Sequence, residues 1–134
     1  MIARICLALI AVIGFGVGVW ALAWPLSFYG AFPGCGLTWV SVDGPYNEHL
    51  VRDVGALSLS LGAFAAFSFF RPGWIEPRVV GISATFYALP HFVYHSSKLE
   101  LYLPLDQKLI LLANGLGLAA CLVLCIQRPQ AARI

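Results

Sequence analysis

Charge is what this chain has least of. Eight Lys and Arg and six Asp and Glu are scattered over 134 residues, 10% of the chain, against about 25% in an ordinary globular domain. Hydrophobic residues make up 60%, and the mean hydropathy is +0.86. Such a composition excludes a water-soluble fold. A net charge of +2, with no basic cluster, excludes a nucleic-acid surface. A disulfide framework is missing too: Cys35 stands alone in a loop, and Cys121 and Cys125 are four apart, a packing interval and not the C-x-x-C of a redox pair. With Cys6 they read as small apolar filler. "GFGVG" at 14–18 has no strand before it, which excludes a nucleotide-binding loop and leaves helix crossing as its use.

What is present is a series of long apolar runs. Four have the ~20 residues that cross a ~30 Å hydrocarbon layer: about 5–24, 49–70, 79–97 and 105–126. The joins carry turn residues, "FPGCG" and "DGPYN", then "RPGW" and "EPR", then "YLPLD". The expected architecture is all-α, one domain over 1–134 built as a bundle of four transmembrane helices. A signal peptide is the rival for the first run, with Arg4 as its charged region and "ALA" at 21–23 as a cleavage site. The length of the run and Pro25 behind it favour a retained helix.

Basic residues in the joins orient the bundle. Arg4, Arg71, Arg78, Arg128 and Arg133 fall on the side shared by the termini, and Arg52, Lys98 and Lys108 on the other. Both termini are therefore expected in the cytoplasm of a multi-pass cell-membrane protein. Asp43, Glu48, Asp53, Glu100 and Asp106 lie on the outer side and Glu76 alone inside. Trp20, Trp24, Trp39 and Trp74 suit the two interfaces, and Asn114 suits a hydrogen bond across helices.

This topology gathers the polar residues at one end. The second helix opens with Glu48, His49, Arg52 and Asp53, which at about 100° per residue spread over roughly 140° of its surface. Ala56, Ser60 and Ala63 continue that face inward and permit close helix approach. The third helix ends in "PHFVYHSSKLE", with His91 and His95 stacked at i, i+4 and Tyr87 and Tyr94 near the same stripe. Pro90 removes a backbone bond and is expected to kink the helix and open space beside the histidines. Asp106 opens the fourth helix. A polar pocket on the extracytoplasmic side follows.

Charged groups at membrane depth are costly and commonly functional. Three uses compete for them. In the first, Glu48 and Asp53 serve the positive end of the helix and Arg52 pairs with an acid, so that all three only lock the bundle. In the second, His49, His91 and His95, with Glu48, Asp53 or Asp106, hold one transition metal ion such as zinc, iron or copper. In the third, the pocket binds the headgroup of a small amphiphile, quinone-, sterol- or isoprenoid-like, with Arg52, Tyr87, Tyr94 and Asp106 as contacts. An enzyme reading adds acid–base chemistry on a lipid-like substrate, with Asp53, Glu48 and His91 as catalytic candidates.

The four helices, with polar residues gathered after the first loop, resemble the DoxX-like group of small bacterial membrane proteins. The chain is also similar to bacterial membrane proteins bearing "GPYNEHLVRDVG" after a "W-V" loop. Here those pieces are Trp39-Val40, Gly44 to Gly55, Pro90-His91, His95, Leu99-Glu100 and Asp106. The resemblance implies a four-helix fold and, by fold-level analogy, a place beside a quinone-linked redox assembly. The expected function is a binding or redox-accessory protein. A membrane enzyme, or a structural subunit or homo-oligomer within a larger membrane complex, is the alternative.

Overall fold

The computed structural model describes residues 1–127. Arg128 and Arg133, two of the basic residues in the orientation count, lie outside the described residues. The described chain is mostly helical: α1 (Ile2–Ala23), α2 (Pro25–Ala31), α3 (Glu48–Phe70), α4 (Pro77–Ser97) and α5 (Pro104–Cys125). Between α2 and α3 a small antiparallel hairpin pairs β1 (Pro33–Gly34) with β2 (Leu37–Thr38). Gly34 and Gly36 close it with φ of +102° and +82°, which a side chain rarely adopts. A 3-10 turn, Leu99–Leu101, joins α4 to α5. The short helix and the hairpin are absent from the sequence expectation, because their signal is aromatic packing within one loop and not periodicity.

Among the described residues, three helices are long and apolar enough to cross a membrane: α1, α3 and α5. At 1.5 Å per residue, 22 or 23 residues reach about 33 Å. The fourth expected span coincides with α4, 21 residues long but less apolar. Arg78, Pro90, His91, His95 and its serines dilute the run without shortening it.

Helices α1 and α3 form one antiparallel pair. Arg4 lies 4.5 Å over the ring of Phe69 at one end, and Gly55 abuts Leu22 at the other. Between them the backbones nearly touch. A Cβ placed on Gly14 would stand 2.6 Å from the Cα of Gly62, and one on Gly18 would stand 2.7 Å from the backbone nitrogen of Leu59. The crossing expected of "GFGVG" is present, with Gly14 and Gly18 facing α3 while Gly16 meets nothing within 4 Å. The α3 face differs from expectation. Val51, Gly55, Ser58, Gly62 and Ala65 are buried, whereas Ala56 and Ser60 are exposed. A glycine lets two axes come closer than an alanine does, so the Gly14–Gly62 contact sets how α3 is turned.

Helix α5 packs against α4 through Gly81, where a Cβ would lie 2.6 Å from that of Leu124, and it also meets α1. Helices α3 and α4 pack less extensively. A core of Cys6, Leu7, Ala65, Val80, Ala120 and Leu124 lies where α1, α3, α4 and α5 meet. Cys121 is buried as well, and all four cysteines are free. The end of the bundle where α3 begins is covered by the 32–47 loop, seated on Ala21, Phe28 and Val51.

Candidate functional site

Two polar groups occupy this loop end, and they are separate. The first is the start of α3. Asn47 caps the helix, its side-chain oxygen accepting from the Leu50 amide at 3.1 Å. Glu48 lies in the first turn, where the helix dipole favours an acid. Arg52 donates through Nε to Glu48 Oε1 at 2.9 Å and through Nη1 to the backbone oxygen of Leu22. That oxygen belongs to the last turn of α1, whose carbonyls have no intrahelical partner. Glu48 and Arg52 thus fasten α3 to the end of α1.

His49 and Asp53 form the other i, i+4 pair, Nε2 to Oδ2 at 3.3 Å, and their side chains are 87% and 61% exposed. Their neighbours in sequence are turned onto α1; this pair is not. Asp53→Asn and His49→Ala are accordingly expected to change stability by less than about 0.5 kcal/mol. Arg52→Met, which frees a helix-end carbonyl and Glu48 together, is expected to cost about 1 kcal/mol. Thermal unfolding of the variants in one detergent compares them directly. An equal loss from Asp53→Asn would assign the fastening role to the wrong pair.

The second group runs down α4. Tyr87 stacks on His91 with ring centroids 5.2 Å apart and planes 19° from parallel. His91 meets His95 edge to face at 4.6 Å. His95 Nδ1 lies 3.2 Å from the Tyr102 hydroxyl, which donates to Asp43 Oδ1 at 2.8 Å. At the lower end, the Tyr87 hydroxyl faces Ser58 of α3. Eight residues of helix separate Tyr87 from His95, about 12 Å of axis. The ladder therefore begins at the loop end and reaches the middle of α4. Tyr94 stands edge-on to His95 at 5.3 Å, itself half exposed.

The loop holds the top of this ladder. Trp20, Phe28, Phe32 and Trp39 pack in sequence, with centroids 4.7–6.2 Å apart, and Tyr29 donates to the Gly44 oxygen at 2.7 Å. Trp39 is thereby placed to donate from its indole to Asp106 Oδ1 at 3.2 Å. Tyr102 is buried, and Gln107 of α5 donates to its backbone oxygen at 2.9 Å. Burial, and after it the hydrogen bond and charge of Asp43, push the Tyr102 phenol well above its ordinary value, so the hydroxyl keeps its proton.

The single pocket expected from the sequence is thus divided. His91, His95, Tyr87 and Tyr94 come together, whereas no hydrogen bond or ion pair among the described residues joins them to Glu48, His49, Arg52 or Asp53. Asp106 is engaged by Trp39 instead. The residues named for a metal are not gathered into one set: among the described residues, no three His, Cys, Asp or Glu side chains are arranged to hold an ion, and His49 is turned to Asp53. Space beside Pro90 also opens elsewhere than expected, as an apolar groove of about 150 Å³ lined by Thr85, Phe86, Leu89 and Pro90. Because α4 advances 100° per residue, that groove lies on the flank away from the imidazoles.

Sequence reasoning missed Asp43, Tyr102 and the anchoring role of Trp39. Their one visible signal is that each is a polar or amphipathic group in a join beside apolar neighbours. Comparison of the chain with protein-family models, with curated proteins and with solved structures gives no significant match.

Proposed function

We propose that this protein is a four-span membrane protein whose outer half binds the headgroup of a small amphiphile, quinone- or isoprenoid-like, as a binding or redox-accessory protein. The fourth span is α4, which lies antiparallel to α5 and is long enough to cross. The bias of Lys and Arg in the sequence, five to three toward the side shared by the termini, favours both termini in the cytoplasm and the loop end outside. The observation that carries this reading is the ladder Tyr87–His91–His95–Tyr102. Two imidazoles and two phenols run from the loop to mid-helix in a chain that is otherwise apolar. Polar groups at that depth are expensive and need a use. They lie on the side of α4 that meets α3, the less tightly packed boundary of the bundle, through which a lipid-soluble ring can enter from the bilayer.

An amphiphile is favoured over a metal because the imidazoles lack a third converging ligand. If acid–base chemistry accompanies binding, Asp43, linked through Tyr102 to His95, and not Asp53, which pairs with the exposed His49, is the carboxylate coupled to the ladder. Native mass spectrometry of gently solubilised protein, beside elemental analysis, tests the reading. A bound small molecule is expected in wild type and absent from His91→Ala/His95→Ala, with added short-chain hydroquinone binding at least tenfold more weakly to the variant, a loss of ~1.4 kcal/mol. One metal ion per chain, lost in the same variant, would overturn the amphiphile reading in favour of a metal centre.

A further inference from the structure

The Tyr102 hydroxyl has one proton and three neighbours: Asp43 Oδ1 at 2.8 Å, His95 Nδ1 at 3.2 Å and, at the outer limit of a hydrogen bond, the Trp39 backbone oxygen at 3.5 Å. A carboxylate can only accept, so at 2.8 Å that proton goes to Asp43. Toward His95 the phenolic oxygen is then an acceptor, and the hydrogen in the 3.2 Å contact must sit on Nδ1. A neutral imidazole protonated at Nδ1 carries a lone pair at Nε2. No described group donates to that nitrogen or bonds to either ring nitrogen of His91. None of the three is sealed off: among the described residues, the sole enclosed side-chain polar atom lacking a partner is Ser96 Oγ. Asp43 is the carboxylate linked to the imidazoles, through the Tyr102 hydroxyl, and Asp106 is engaged by Trp39.

We propose that His95 Nε2, with His91 beside it, accepts a hydrogen bond from a hydroxyl-bearing headgroup, that of a hydroquinone or an isoprenoid alcohol, and that Asp43 and Tyr102 are positioning residues which hold His95 in the required tautomer. This rests on the amphiphile reading above and narrows it. A hydroxyl can donate to His95 while accepting from the N–H of His91. A ketone can only accept, and would set its lone pairs against that of Nε2. The site therefore selects the reduced, hydroxylated form of a ring over its carbonyl form.

Two measurements in lipid nanodiscs separate this inference from the reading beneath it. Nitrogen NMR of histidine-labelled protein is expected to show His95 protonated at Nδ1 and bare at Nε2. In Asp43→Ala, a change at an exposed loop position, the Tyr102 proton turns to Nδ1 and the pattern reverses. Tyr102→Phe, which keeps the ring, gives a mixture. Binding is then compared for a short-chain hydroquinone against its quinone, and for farnesol against its methyl ether. Wild type is expected to favour the hydroxyl member of a pair by roughly tenfold, the worth of one well-placed hydrogen bond against an opposed acceptor. Whichever pair binds identifies the source of the hydroxyl. Asp43→Ala is expected to abolish or invert the preference. A wild-type His95 protonated at Nε2, or equal affinity for both members of each pair, overturns the tautomer proposal while leaving the amphiphile reading intact. Binding of none of the four probes overturns both.

Discussion

Gly14→Ala is expected to be among the most destabilising single-carbon additions in this protein. The new Cβ would meet the Cα and nitrogen of Gly62 at 2.6 and 2.7 Å and the backbone oxygen of Ser58 at 2.7 Å. All three are backbone atoms, so no side chain can swing aside, and α1 must move away from α3 along its length. Overpacking of this kind costs ~1–3 kcal/mol, occasionally more. The displacement also draws the Leu22 oxygen away from Arg52. Gly16→Ala is the control two residues on: nothing lies within 4 Å, and exchanging glycine for alanine inside a helix gains up to ~1 kcal/mol. Thermal unfolding followed by circular dichroism in a single detergent should send the two variants in opposite directions. Equal shifts would mean that the α1–α3 contact is not the tight one.

The second large effect is expected from Tyr102→Ala. This side chain is 6% exposed; its ring lies beside His95, and its hydroxyl joins the 32–47 loop to the turn between α4 and α5. Truncating a buried aromatic costs ~3–5 kcal/mol, and about 3 kcal/mol is expected here because the site is at the end of the bundle. Tyr102→Phe keeps the ring and gives up only the hydroxyl's bonds, about 1 kcal/mol. The emission of Trp39, which leans on Asp106 nearby, should change in the alanine variant more than in the phenylalanine one. Unfolding midpoints that do not separate Ala from Phe would show that the ring contributes little and the loop is held by its own aromatic packing.

Placing these two residues side by side shows what could be read in advance. The value of Gly14 and Gly18 was legible, because glycines at i, i+4 in an apolar run have few uses other than close approach. Tyr102 was not. Nothing in "LELYLPLD" distinguishes it from an interfacial tyrosine until the loop carrying Asp43 is folded over it. The stretch from Glu48 to Asp53 misled for a related reason. Four polar residues in six suggest one site, yet they divide into two i, i+4 pairs on adjacent faces. Only the face turned to α1 finds a helix end to hold.

By itself the sequence determined that the long apolar runs are helices and where they stop. A layer without water leaves backbone groups no partner but one another, and proline, glycine and charge mark the points where water returns. The spacing in the sequence permitted the pairs that one helix makes with itself, Glu48 with Arg52 and His49 with Asp53, since residues four apart share a face, but it left the acid partner of Arg52 and the partner of His49 open. Tertiary structure alone decided how far α3 is rotated and which carboxylate serves the histidines. The rotation follows from glycine backbones pressed together across two helices. The carboxylate is Asp43, bonded to a tyrosine 59 positions away, and the acid once grouped with them is held by Trp39 at a separation of 67. Contacts of that range depend on the shape of a packed loop, and no periodicity in the chain encodes them.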